Sequence, residues 1–182
     1  TFSVNDIQGS APAPIVLTGS AGAADGGGTD GGSDDSSWYS QGNGWVITGG
    51  NVASATLGSY EGSMSLTAVV LDDGGNNLAE LSSISGDSYA GDLLGVFDPS
   101  GGLRGVVHTT APPFGTYAGQ PQFLCLIGGV ADDNGSAFTL KLYDASSGSV
   151  IDINETVTFS VNDIQGSAPA PIVLTGSAGA AD

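Results

Sequence analysis

Basic residues are nearly missing from this chain. Arg104 and Lys141 are the only two among 182 residues, against 19 Asp and Glu, and the formal net charge is −17. A nucleic-acid binder neutralises phosphates with a basic footprint, and a polybasic patch is what holds a protein to anionic lipid. Neither has the residues here, so no nucleic acid is expected as a partner. The single cysteine, Cys125, excludes a disulfide within the chain, and the single histidine, His108, excludes a metal site built from several histidines. No apolar run approaches the roughly 20 residues of a membrane-spanning helix, so no membrane insertion is expected. The first residues, Thr1-Phe2-Ser3-Val4, lack a Met, a basic region and an apolar targeting stretch, and they read as part of a longer mature protein. No segment of a dozen residues has the period of a helix.

What is present begins with a repeat. Residues 158–182 reproduce residues 1–25, TFSVNDIQGSAPAPIVLTGSAGAAD, letter for letter. A tandem array with a period of 157 residues accounts for this, the chain spanning one unit and the start of the next. The other reading is a single domain with an arm duplicated by design. Counting Asp6 and Asp25 once, a unit carries a charge of −15. Few Lys and Arg also mean few sites for trypsin-like proteases, which suits an extracellular, cell-surface location.

Hydrophobic residues make up 40% of the chain and can form a core. Residues 19–37 contain only small and polar residues and read as a flexible Gly/Ser/Asp linker, with a free-coil span of about 22–26 Å. Residues 1–18 then form an arm strand, the end of a preceding unit, and 176–182 begin the next linker. From Trp38, short runs of Val, Ile, Thr, Tyr and Phe alternate with Gly/Asp/Asn/Ser turns. Strands are predicted at Trp45–Thr48, Ser63–Leu71, Leu94–Phe97, Leu103–His108, Gln122–Ile127, Phe138–Tyr143 and Val157–Asn162, with a last extended piece at Pro171–Leu174. Asp98–Gly102, Asp133–Gly135 and Ala145–Gly148 carry hairpin signals. The fold class is all-β, and residues 38–175 are expected to form a β-sandwich of jelly-roll or immunoglobulin-like type.

Several stretches carry a resemblance. They are Tyr60–Val70, Asp92–Phe97, Gly102–Val107, Phe138–Asp144 and Glu155–Phe159. Together they resemble a repeated β-sandwich module of large secreted and surface proteins, found in bacteria and in some marine microbes. The resemblance covers roughly residues 38–175 and implies an extracellular β module in a long chain. It implies no activity and transfers no catalytic residue.

Candidate sites follow from residue chemistry. Arg104 and Lys141, lone cations within strand patterns, call for carboxylate partners such as Asp92 or Asp98, as structural ion pairs. Asp72, Asp73, Asp132 and Asp133 lie in oxygen-rich turns of the kind that bind Ca²⁺, though solvated turns have the same composition. Asn134 and Asn154 open two N-x-S/T sequons that carry glycans in a eukaryotic host. Cys125, in Phe123–Ile127, reads as a buried small hydrophobe. Trp38, Tyr39, Trp45 and Tyr60 suit a sugar-stacking platform or the packing of an edge. His108 has no nucleophile motif to serve, and no cofactor loop occurs, so the chain is not expected to be an enzyme. Phe2, Val4 and Ile7, with their second copies Phe159, Val161 and Ile164, mark a strand that would be unstable alone. Added to a sheet edge, such a strand joins copies of the chain end to end, which makes a structural repeat of a filament, adhesin stalk or matrix. The alternative is a carbohydrate-binding module with glycan partners.

Overall fold

The structure, a computed structural model, describes residues 38–176, and these form twelve strands and no α-helix. In order they are β1 (Trp45–Thr48), β2 (Asn51–Ser54), β3 (Gly62–Leu71), β4 (Ser83–Ser85), β5 (Ser88–Ala90), β6 (Leu93–Phe97), β7 (Leu103–Thr110), β8 (Gln122–Gly129), β9 (Ala137–Asp144), β10 (Ser149–Thr158), β11 (Ile164–Gln165) and β12 (Ile172–Thr175). One curled sheet runs in the order β10-β9-β6-β7-β8-β3, with β11 and β12 both on the far side of β3. All pairings up to β3 are antiparallel; β11 and β12 run parallel to it. The all-β expectation is therefore met, in the form of one large curled sheet beside two separate two-stranded sheets, β1 with β2 and β4 with β5.

Alternation explains which residues face inward. Met64, Leu66, Ala68 and Val70 of β3 are buried while Ser63, Ser65 and Thr67 lie on the other face. Phe138, Leu140 and Leu142 of β9 meet Leu94 and Val96 of β6, Phe123, Cys125 and Ile127 of β8, and Ile151, Ile153 and Val157 of β10 in one core. β6 is buried along its whole length because its other face is covered too. There Trp38, Trp45, Val52, Leu93, Phe97 and Val106 form a second cluster. The indole of Trp38 lies flat on Gly95, where a Cβ would come 2.8 Å from the ring.

The sheet curls far enough for its two ends to meet. Between Asp152 and Thr156 the register of β10 against β9 shifts by a bulge. The residues freed there turn to β12: Ile153 bridges Gly176, and Glu155 accepts hydrogen bonds from the Thr175 backbone N–H (2.6 Å) and hydroxyl (2.8 Å).

Several elements differ from their predicted form. The strand expected at Val157–Asn162 is the tail of β10, which starts at Ser149 and ends at Thr158. Asp98–Gly102 and Ala145–Gly148 do join hydrogen-bonded neighbours, but Asp133–Gly135 is no hairpin, since β9 pairs with β6 and β10 rather than with β8. β2, β4 and β5 were not predicted; they are short and largely polar.

Candidate assembly site

The second copy of the repeated segment is built into the body of the sheet. From Thr158 the chain leaves β10 and Phe159 drops into the core, fully buried and stacked on Phe138 with centroids 5.1 Å apart. Its backbone N–H donates to Ser136 O and its carbonyl accepts from Gly135 N–H, both at 2.9 Å. Val161 N–H donates to the Asn134 side chain (2.8 Å) and Asn162 N–H to Ser63 O (2.7 Å). β11 then sets Ile164 opposite Ser65, and β12 sets Ile172 to Thr175 opposite Ala68 to Leu71. Leu174 is fully buried, and Gly176 N–H closes the run on Leu71 O at 3.1 Å.

A pair of glycines makes the room for this segment. Gly62 of β3 and Gly129 of β8 are register partners. A Cβ at Gly129 would come 2.4 Å from the Phe159 ring, and one at Gly62 would come 2.8 Å from a Val161 methyl. Aromatic and branched side chains thus occupy space that two missing methyl groups leave open. Burying a Phe and a Leu of this kind stabilises by about 1.5–3 kcal/mol each. The slot is further fastened where Gln122 Nε2 donates to Ala168 O (3.0 Å).

The turn that receives Phe159 is held by an ion-pair cluster around Arg104. Its Nε donates to Asp98 Oδ2 at 2.7 Å and its Nη1 to Asp133 Oδ2 at 3.0 Å, while the guanidinium lies 4.6 Å from the Tyr60 ring centroid. Asp98 Oδ1 also accepts from Ser100 and Gly102 N–H. Burial works to raise the Asp98 carboxyl, but the bonds from Ser100, Arg104 and Gly102 outweigh it and hold it down at about 2. Asp133 Oδ2 accepts in addition from Val130 N–H (2.9 Å), which fixes the turn between β8 and β9.

The other candidates lie as follows. Asp92 faces neither cation; its carboxylate accepts from Glu80 N–H (2.7 Å) and Ala145 N–H (2.9 Å). Lys141 approaches Asp152, its register partner, at 3.7 Å. Asp72 is bonded within its own turn to Asn76, whose hydrogen bonds hold its carboxyl below the ordinary range. Among the described residues no three His, Cys, Asp or Glu side chains converge as metal ligands do, and Asp73 and Asp132 join no such group. Asn134 and Asn154 are exposed, and Asn154 Nδ2 donates to Thr175 Oγ1 at 3.0 Å. Trp38 and Trp45 are each 4% exposed and pack against β6, so they offer no face to a sugar. His108 is buried, its Nδ1 accepts from Val52 N–H (3.3 Å), and burial lowers its basicity. Burial pushes the Cys125 thiol up to about 12. Val161 is partly buried and Ile164 is 75% exposed. Phe2, Val4 and Ile7 lie outside the described residues.

Sequence reasoning missed Gly62, Gly129, Glu155 and Thr175. The adjacent Gly128-Gly129 at the end of an apolar strand was the available signal, because glycine inside a strand marks a close approach. Compared with models of protein families, with curated proteins and with solved structures, the chain finds no match.

Proposed function

We propose that this chain is a structural tandem-repeat unit of a large extracellular, cell-surface protein, joined end to end with copies of itself into a filament, stalk or matrix. The observation that carries the reading is the recurrence of 25 identical residues at the two ends of the sequence. Recurrence without a single difference is what an array of near-identical units produces, and the Gly/Ser/Asp stretch at 19–37 is a spacer between them. The layers suit a sandwich-type module, with β10, β9 and β6 on one side, β8, β3 and β12 on the other, and β7 pairing with both. Among the described residues, three side chains with catalytic potential serve the fold: His108 Nδ1 accepts from Val52, Asp98 pairs with Arg104, and Cys125 packs in the core. On this reading the work of the unit is mechanical and connective. The buried Trp38 and Trp45 favour this over a glycan-binding module.

A charge of −17 makes copies repel at low ionic strength. Light scattering and electron microscopy of the full chain should show assembly that grows as NaCl or Ca²⁺ is added. Monomers under every such condition would overturn the reading.

A further inference from the structure

Two identical segments, residues 1–19 and 158–176, accompany the single slot on β3 found among the described residues. Every contact that the second copy makes there is a contact of side chains and backbone that the first copy also possesses. Phe2 matches Phe159, Val4 matches Val161, Ile7 matches Ile164 and Leu17 matches Leu174. We propose that the slot is an exchange site, in which residues 1–19 of a second copy of this chain replace residues 158–176. The inference rests on the self-assembly reading above and names the surface by which it happens.

Replacement, rather than addition, follows from the topology. β3 has no free edge for an added strand, because β8 holds one side and β11 and β12 the other. The edge of β10 bends to meet Gly176. An arriving strand can set its Phe against Gly129, its Val against Gly62 and its Leu beside Val70 of β3 only by displacing its twin. The exchange conserves the contacts within the slot, so its balance is set by linker entropy, by effective concentration and by the repulsion between acidic copies. The resident copy is tethered next to its slot and is favoured in dilute solution; raised concentration favours the visitor. Swapping an identical element between protomers is a low-cost route to assembly, and when the donor and acceptor surfaces differ it runs head to tail, as a ring where the rotation closes and as an open filament where it does not.

A cross-link reads this directly. Ile164 and Ser65 are parallel register partners, and neighbouring strands sit about 4.8 Å apart, within disulfide reach. An exchanged first copy puts position 7 in that place. Full-length Ile7→Cys/Ser65→Cys protein, mildly oxidised, should therefore form a disulfide between positions 7 and 65 of different chains, identified by peptide mass. The linked share should rise with protein concentration. Adding Phe2→Ala or Leu17→Ala should cut it at least tenfold, and excess synthetic peptide of sequence 1–19 should block it. Ile164→Cys/Ser65→Cys, which should link within one chain, shows that the geometry permits the bond. Cys125 is 2% exposed and stays out of the reaction. No 7–65 link in a protein whose 164–65 link forms, or a 7–65 link confined to single chains, overturns the exchange. If scattering still shows assembly in that case, the repeat reading stands and only the exchange has failed. If scattering shows none, both have failed.

Discussion

Gly129 is where a single methyl group has the largest consequence. With a Cβ placed 2.4 Å from the Phe159 ring, Gly129→Ala forces either the ring or β8 to move. Overpacking of this kind costs about 1–3 kcal/mol, and a urea melt should show that loss. Gly58→Ala is the control, since a Cβ there meets nothing within 4 Å and should leave the midpoint unchanged. Asp98 gives a pH signature at the same scale. Its carboxyl, ordinarily at 3.8, is held down at about 2 in the fold, so its contribution to stability is complete above 3.8 and is lost as pH falls toward 2. The stability advantage of the parent over Asp98→Asn should accordingly shrink across that window. A pH-independent difference would mean that the Arg104 pairing adds nothing.

At the scale of elements, β10 and β12 depend on one another through Glu155. Burial raises that carboxyl, but the hydrogen bonds from Thr175 outweigh it and keep it below the ordinary range. Glu155→Gln removes the charge that two donors share, and a charge-assisted bond is worth about 1.5–3 kcal/mol. Hydrogen exchange at Thr175 and Gly176 should quicken about tenfold or more, with the β9 amides unaffected; unchanged exchange would place the closure of the sheet elsewhere. Strands such as β3 and β9 were legible in the sequence because polar and apolar residues alternate along most of their length, in β3 as far as Ala68. The same alternation misled at Val157, Phe159 and Val161. Period-two burial persists there after the ladder has ended, since Phe159 bonds to Ser136 and Val161 to the Asn134 side chain instead of to β9. β2, with the sequence NVAS, and β4, with SIS, hold too few apolar residues to declare themselves. Sheet order was not legible at all, because the pairing of β6 with β9 joins residues more than 40 positions apart that no local pattern links. The partner of Arg104 was half legible: Asp98 lies six residues away in the same hairpin, whereas Asp133 arrives from a distant turn.

For the whole molecule, charge and sequence identity act at different distances. The Debye length is about 8 Å at physiological salt and about 3 Å at 1 M, so added salt shortens the repulsion to the range of contact. In the proposed exchange, contact then discriminates by shape, through a slot whose Phe and Leu sites the repeated segment fills. Association should accordingly strengthen with salt, the reverse of what attraction between opposite charges would give. The position of β12 has a last consequence. It is the last strand among the described residues, and it is tied sideways to β3 by its ladder and to β10 by Glu155. In the proposed array, tension would enter each unit through that strand. The ladder and the carboxylate clasp would bear that load ahead of the core, and a unit that yields would release the segment that the proposed exchange passes between copies.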